Sequence, residues 1–176
     1  MKPHFDDVPP AWVLDGGFYE RSSYPTGYII DWRKGLTGNL LIKRSILADE
    51  AQPFRPEFLT GEDKDFFRRM IAKGHVFVWC DEAVAYETVP AARWRRMFML
   101  RRALLRGQVS LLHSTSGAGA IAKSLVAVPA YAAALPIALL AGQSRFMHCL
   151  VKLFDHAGRL LALAGVKLIR EPYVTT

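Results

Sequence analysis

The residues best suited to chemistry in this sequence are Glu62 and Asp63, which follow Gly61 at the start of a predicted helix. A carboxylate in the first turn of a helix faces backbone N–H groups and the positive end of the helix dipole, which favour its ionised form. An ionised carboxylate in a cleft can take a proton from a hydroxyl group. The alternative is structural, because acidic residues are common in any first turn and Thr60 or Glu62 could cap this helix.

The segments around this acidic pair alternate between helical and strand-like patterns. Apolar side chains recur at helical spacing over Asp63–Lys73, which predicts a helix that ends at Gly74. Shorter apolar runs predict strands at Leu40–Ile42, Val76–Trp79 and Val84–Val89, and a helical turn at Arg44–Leu47. Residues 1–35 are rich in proline, glycine and aromatic side chains, which predicts irregular or short-stranded structure there.

From residue 91 onward the sequence predicts helix almost throughout, with breaks at 114–119 and 142–144. A helix over Ala91–Leu112 would be amphipathic, with arginines beside its apolar face. That face is predicted to hold Trp94, Met97, Phe98, Leu104, Leu105, Val109 and Leu112. Arg101 falls within the apolar stripe, where its charge must reach solvent or meet a carboxylate or phosphate.

An apolar segment follows over Leu125–Gly142, 18 residues without a charge and interrupted by Pro129 and Pro136. Its length just suffices to cross a membrane, and the prolines favour a kinked span or a re-entrant hairpin. The alternative is a buried helix of a soluble protein, which a chain of 176 residues has little core to cover. A weaker apolar helix over Phe146–Ile169 is predicted to lie at the membrane interface.

Composition and charge agree with a membrane-associated protein. Hydrophobic residues make up 51% of the chain and the mean hydropathy is +0.11. Residues 1–87 hold 11 Lys/Arg against 14 Asp/Glu, a net charge of −3, whereas residues 88–176 hold 12 against 2, a net charge of +10. The basic half is expected to face a membrane or another anionic partner. Its arginines precede the first apolar span, which predicts that the acidic half lies in the cytoplasm.

The two cysteines, Cys80 and Cys149, are far apart and lack metal-ligand spacing. This pattern excludes a disulfide framework and is typical of a protein in a reducing compartment. Nucleic-acid binding is the weaker explanation of the basic charge, because an apolar face accompanies the arginines and a lipid-like segment follows them.

Four segments, at 36–47, 53–58, 61–70 and 74–90, occur in an order that resembles family 2 glycosyltransferases. The resemblance is to the second half of their nucleotide-sugar-binding domain, and most of all to the bacterial exopolysaccharide type, including succinoglycan-pathway enzymes. It implies an α/β fold in which residues 1–115 form the acceptor-side half of a GT-A (Rossmann-like) domain. Residues 116–176 would then form a helical, membrane-associated region. The nucleotide-binding half is missing from this pattern, so the chain resembles a C-terminal fragment.

The resemblance also implies roles for individual residues. Asp63 would be the catalytic base that deprotonates the acceptor hydroxyl in an inverting displacement, and Glu62 would orient the acceptor or support the loop. The substrate-binding residues would be Gly38 and Asn39, which form a turn over donor and acceptor, together with Asp65, Arg101, Arg102 and Arg106, the arginines contacting the donor diphosphate.

The implied partners are a nucleotide-sugar donor, a lipid-linked or polysaccharide acceptor and the cytoplasmic face of the bacterial inner membrane, but no nucleic acid. The full-length family uses a divalent cation, Mg²⁺ or Mn²⁺, whose ligands are not expected in this chain. Asp63-Lys64-Asp65 matches the family's Asp-x-Asp metal motif as text but lies inside the acceptor-side motif. Glu87 stands where many relatives carry a histidine near the metal. Pro90 stands where processive relatives carry Gln or Arg, so processivity is not implied.

The competing hypothesis is a membrane-anchored remnant or binding protein without catalysis. A base such as Asp63 cannot act unless a sugar nucleotide is positioned beside it, and residues 1–35 offer no nucleotide-binding pattern.

Overall fold

A computed structural model of the chain describes residues 1–48, 50–112, 117–166 and 168–169. Parts of the predicted break at 114–119 and of the predicted helical region 116–176 lie outside these residues. The described chain is mixed α/β and mostly helical, at 54%. Its contacts divide it into two compact units, unit 1 (Met1–His4 and Glu20–Glu87) and unit 2 (Phe5–Tyr19 and Thr88–Thr176).

Five α-helices and two strands form the regular structure of the described residues. The helices are α1 (Ala11–Asp15), α2 (Glu62–Ala72), α3 (Arg96–Val109), α4 (Ala118–Leu140) and α5 (Gln143–Leu163). The strands β1 (Lys2–Phe5) and β2 (Tyr86–Val89) pair in parallel as a two-stranded sheet. Short 3₁₀ turns occupy Thr37–Asn39, Arg44–Leu47, Ala91–Trp94 and Ser110–Leu112. The mixed α/β class is confirmed, whereas the GT-A architecture stays a prediction.

Unit 1 is built on the buried face of α2. The apolar side chains of this helix and its neighbours form one core, which contains Ile30, Phe66, Phe67, Met70 and Phe77. The predicted helix over 63–73 is confirmed within one residue, and Gly74 follows it with a φ of +89°, a conformation that glycine adopts at little cost.

The strands predicted in unit 1 are only partly present. Val78 forms an isolated antiparallel bridge with Ile29, extended by a backbone hydrogen bond from the Ile30 N–H to the Phe77 carbonyl at 2.9 Å. The predicted strand over 84–89 shortens to β2, and residues 40–42 form no strand. Leu40 and Ile42 instead pack on the core of unit 1 as single side chains, while Leu41 between them is 97% exposed.

Unit 2 contains α1, α3, α4 and α5. Val13 of α1 is buried beside Val89 and Trp94. Helix α5 packs extensively on both α3 and α4. At the α3–α5 contact, a Cβ added to Gly158 would overlap the backbone carbonyl of Leu104, and one added to Gly107 would overlap that of Asp155. These two glycines therefore let the two helix backbones approach closely.

The predicted helix over Ala91–Leu112 is interrupted, which changes its buried face. A 3₁₀ turn ends at Trp94, Arg95 is extended (φ −63°, ψ 135°), and α3 begins at Arg96. Five residues of the predicted apolar face are buried or half-buried. They are Trp94, Phe98, Leu104, Leu105 and Val109. Met97 and Leu112 are 67% and 50% exposed. The 3₁₀ turn over Ser110–Leu112 changes the helical phase before Leu112, whereas Met97 lies within α3, about 100° around the axis from the buried Phe98.

Helix α4 runs unbroken through Pro129 and Pro136, so the predicted re-entrant hairpin within 125–142 is wrong. The chain reverses after α4 at Gly142, which has a φ of +115° and is the N-cap residue of α5. Within the described residues, α4 is the one helix long and apolar enough to cross a membrane, and only 6% of its most apolar 18-residue stretch is buried. Length and composition of one such helix are a weak sign of membrane association.

The close α3–α5 contact predicts an asymmetric response to two glycine substitutions. Gly158→Ala should lower the free energy of unfolding by about 1–3 kcal/mol, because the new methyl group must push the α3 backbone away. The control Gly119→Ala places its methyl group in open space and should be neutral or raise stability by up to about 1 kcal/mol through helix propensity. Chemical unfolding followed by circular dichroism measures both; equal effects would contradict the close contact.

Candidate functional site

Glu62 and Asp63 lie in the first turn of α2, as the sequence predicted. The N-cap residue is Gly61, which adopts a left-handed conformation at a φ of +79°, so the capping role considered for Thr60 or Glu62 is wrong. Both acidic side chains are half-buried. The left-handed conformation of Gly61 turns the chain sharply from the loop into the helix. Glu62 and Asp63 therefore lie at the N-terminal end of α2, next to that loop.

The structure brings Asp63 to the turn at Gly38 and Asn39. The hydroxyl of Thr37, in the same 3₁₀ turn, donates a hydrogen bond to Oδ1 of Asp63. On the other side, Nδ2 of Asn39 donates to the carbonyl of Ala83 at 2.6 Å. Two anchors therefore hold the turn between the start of α2 and the segment before β2.

Thr37 is a residue of this site that the sequence argument missed. The available signal was its position directly before Gly38, in a turn already assigned to substrate binding. Its hydroxyl lies against the Asp63 carboxylate, on the side that faces the Thr37–Asn39 turn.

Asp65 has a different role from the predicted substrate contact. Its side chain is 1% exposed and pairs with three guanidinium groups, at 3.1 Å to Arg55 Nε, 2.9 Å to Arg69 Nε and 3.5 Å to Arg68 Nη2. A carboxylate so buried and so occupied cannot reach a substrate. The prediction is corrected accordingly: Asp65 holds the segment around Arg55 against α2.

Arg69 extends this cluster to a second acid. Its Nη1 donates to Glu50, and its Nη2 donates to the carbonyl of Pro53 at 2.5 Å. Lys73 also donates to Glu50. The hydrogen bond from Lys73, followed by that from Arg69, lowers the pKa of the Glu50 carboxyl below its usual value.

The three predicted diphosphate arginines lie on α3 in unit 2. Arg106 makes a two-pronged ion pair with Asp155 of α5, at 3.0 Å from Nε and 2.9 Å from Nη2. Arg102 and Arg106 line a cavity of about 60 Å³ together with aromatic and apolar side chains, which are Phe18, Tyr19, Phe98, Met99 and Val151. Arg101 is exposed, so its charge reaches solvent. The arginine of this helix that pairs with the carboxylate of Asp155 is Arg106.

The two groups of predicted site residues belong to different units. Glu62, Asp63, Gly38 and Asn39 are in unit 1, whereas the arginines of α3 are in unit 2. The geometry that the structure establishes is thus that of the acidic pair and its turn. Glu87, also in unit 1, pairs with Arg21 at 3.2 Å.

A divalent cation does not fit the described residues. No group of three or more His, Cys, Asp or Glu side chains in this part of the chain is placed to hold a metal ion. The text match at Asp63-Lys64-Asp65 also fails as a ligand pair, because Asp65 is occupied by arginines. We therefore assign no chemical step to a metal held by these residues.

Comparison with known proteins adds no relative. No protein-family model matches this chain, and neither the curated proteins nor the solved structures contain a significant match. The resemblance to family 2 glycosyltransferases therefore stays a prediction that rests on the motifs and on the site geometry.

The Asp65 cluster predicts a large loss of stability on neutralisation. Asp65→Asn should lower the free energy of unfolding by about 3–5 kcal/mol, because three partly exposed guanidinium groups lose the buried carboxylate that balances their charge. Asp31→Asn is the matched control: Asp31 is an exposed partner of Arg33, and its loss should cost at most about 1 kcal/mol. Urea unfolding of both variants measures the difference, and similar losses would refute the structural role of Asp65.

The lowered pKa of Glu50 predicts that its carboxylate contributes to the loss of stability of the protein at low pH. Because its folded pKa lies below its unfolded value, its contribution to stability is complete above the unfolded pKa and is lost as the pH falls through the folded pKa. Glu50→Gln should therefore flatten the fall in urea midpoint between neutral pH and about pH 3. An unchanged slope in the variant would show that other carboxylates carry the effect.

Proposed function

We propose that this chain is the acceptor-side part of an inverting family 2 glycosyltransferase, with Asp63 as its general base. The observation that carries the proposal is the hydrogen bond between Asp63 and the Thr37–Asn39 turn. The family places its base and its Gly-x-Asn turn in one site. Here the two motifs are separated by 26 positions between Thr37 and Asp63, and the fold joins them.

In the proposed reaction, an acceptor hydroxyl takes the place that the Thr37 hydroxyl holds against Asp63. Asp63 removes its proton while the hydroxyl oxygen forms a bond to the anomeric carbon of the donor sugar. The bond from that carbon to the phosphate oxygen breaks, and the nucleoside diphosphate leaves with the electron pair. Glu62, the neighbouring half-buried acid, orients the acceptor. Attack opposite the leaving group inverts the anomeric centre.

The nucleotide-binding half of the donor site is proposed to come from outside the described residues. Before Thr37, the described chain has only β1, of four residues, and α1, of five, and neither belongs to a strand–loop–helix unit that could cradle a diphosphate. The GT-A fold is therefore proposed for the complete enzyme. Unit 1 would supply the acceptor side of that fold.

Membrane association is proposed to bring the site to a lipid-linked or polysaccharide acceptor. Helix α4 exposes almost all of its most apolar stretch, which water does not favour. The arginines of α3 precede α4 in the chain, and positive charge before a first apolar helix favours the cytoplasmic side. The proposed location is the cytoplasmic face of the bacterial inner membrane.

The second candidate is a membrane-anchored binding protein without catalysis. The observation in its favour is the same short β1 and α1, which give the described residues no nucleotide site. The two candidates differ in one measurable property, the transfer of a sugar that depends on Asp63.

Sugar transfer tests the proposal when the donor-binding half of a family 2 glycosyltransferase is fused to the start of this chain. Membranes from bacteria that express the fusion are supplied with radiolabelled UDP-glucose, UDP-galactose or a GDP-sugar, and label in lipid and polysaccharide is counted. We expect no transfer by the chain alone, which has no donor site, and transfer by the fusion above the level of the donor-binding half alone. Asp63→Asn should reduce that increment by about 10²–10⁴-fold, because the amide keeps the shape but cannot accept the proton.

Asp6→Asn is the matched control, an exposed carboxylate that should leave transfer unchanged. No chain-dependent transfer with any donor would favour the binding protein. An Asp63→Asn variant that loses donor affinity while keeping its turnover would remove Asp63 from the role of base.

A further inference from the structure

The outer face of α4 is apolar over most of the helix. Its largest side chains are each more than half exposed, and they are Leu125, Val126, Ile137, Leu139 and Leu140. No charged residue lies between Lys123 and Arg145 in the sequence. A continuous exposed apolar face of this length marks a contact with a partner or a lipid surface.

The inner face of α4 is paired with α5 along most of its length. Ser124 Oγ lies 3.0 Å from His156 Nδ1, and Cys149 Sγ donates to the Tyr131 carbonyl at 3.3 Å. Near the start of α4, Arg159 donates to Ser124 Oγ at 3.1 Å. These contacts define one antiparallel register.

This register decides which groups accompany the middle of α4. It places Lys152 level with Val128, next to the midpoint of the 23-residue helix. Lys152 is exposed. The ion pair between Asp155 and Arg106 lies less than one helical turn further along α5.

Helix α5 is fixed to α3 as firmly as to α4. The glycine contacts at Gly107 and Gly158 bring the α3 and α5 backbones together, and Arg96 Nη2 donates to Gln143 Oε1 at 3.0 Å near the other end of the contact. A bilayer that surrounded α4 would therefore also have to surround α5 and the arginines of α3. Charges on exposed helix faces near the bilayer centre are costly and rare.

We propose that α4 lies flat in an anionic lipid surface and does not cross the bilayer. Its outer face inserts to the boundary of the acyl chains, while α5 and α3 stay on the aqueous side. Charge complementarity identifies the surface as anionic, because residues 88–176 carry a net charge of +10 and Lys123 and Arg145 flank the apolar face. This inference rests on the membrane association within the proposed function.

Single cysteines report the orientation of α4 in the full chain. Cys80 and Cys149 are first replaced by serine, and then Gly119→Cys, Ala141→Cys and Lys152→Cys are introduced one at a time at exposed positions. Inverted and right-side-out inner-membrane vesicles are treated with a membrane-impermeant maleimide. We expect all three cysteines to react from the cytoplasmic face only. Reaction of Gly119→Cys and Ala141→Cys from opposite faces, or a Lys152→Cys that reacts only in detergent, would overturn the flat geometry.

Binding to lipid vesicles tests whether the partner of the outer face of α4 is an anionic lipid surface. Purified chain is sedimented with phosphatidylglycerol or phosphatidylcholine vesicles, and we expect the anionic vesicles to bind at least about tenfold more strongly, with loss of the difference at high salt. Ile137→Asp on the outer face should weaken binding about tenfold or more, whereas Leu41→Asp, at a still more exposed apolar site in unit 1, should not. Equal binding to both vesicle types, or equal effects of both variants, would refute the proposed surface.

The outcomes separate this inference from the proposed function. Labelling from opposite faces together with Asp63-dependent sugar transfer would overturn the flat geometry alone. Labelling from one face without sugar transfer would support the geometry and overturn the glycosyltransferase. A chain that stays soluble and monodisperse without detergent or vesicles would overturn both the flat geometry and the proposed membrane attachment.

Discussion

The carboxylate of Asp65 is the constraint on which unit 1 depends. It is buried at 1% exposure beside Arg55 and Arg69, and a buried charge is tolerated only when its partners are held in place. Those partners come from the loop before α2 and from the helix itself. The loop containing Arg55 must therefore lie against α2. The aromatic core of unit 1 then closes on the opposite face of the helix, around Phe67 and Met70.

This arrangement separates two acids that are adjacent in the motif. Asp63 and Asp65 are two positions apart on α2 and so point about 200° apart around the helix axis. Asp65 faces the protein and neutralises arginines, whereas Asp63 lies at the helix edge and meets the hydroxyl of Thr37. The ion pairs of Asp65 fix the helix in the position that places Asp63 against the Thr37–Asn39 turn.

In unit 2, helix α5 packs on two helices of different character, the arginine-bearing α3 and the apolar α4. Toward α3 it offers Asp155 to Arg106 and a glycine that admits the α3 backbone. Toward α4, Cys149 and His156 contact Tyr131 and Ser124. Burial, and then the neighbouring charge of Arg159, lowers the pKa of the His156 imidazole. Because α5 packs on both helices, the apolar α4 and the arginine-bearing α3 belong to one packed group. The proposed flat attachment keeps the charges of α3 and α5 out of the bilayer, whereas insertion of α4 across it would not.

The sequence by itself determined the features that depend on local periodicity and charge. Helix α2 with its first-turn acids, the stop at Gly74, the long apolar helix and the basic second half all follow from residue spacing and composition. Each of these is a property of one segment. The family resemblance added roles for Asp63, Gly38 and Asn39, and the fold brings these residues together without testing the roles themselves.

Only the tertiary structure decided which partner each charged or apolar group meets. Asp65 and Arg106 were both assigned to substrate from the sequence, but their partners, Arg55 and Asp155, lie in other segments of the chain. The 3₁₀ turn after α3 shifted the helical phase, so the exposure of Leu112 could not follow from a straight helix. Likewise, residue spacing shows that α4 is long enough to cross a membrane, but only its register with α5 shows that Lys152 accompanies its midpoint. Pairing between distant segments depends on packing and burial, which periodicity within one segment does not encode.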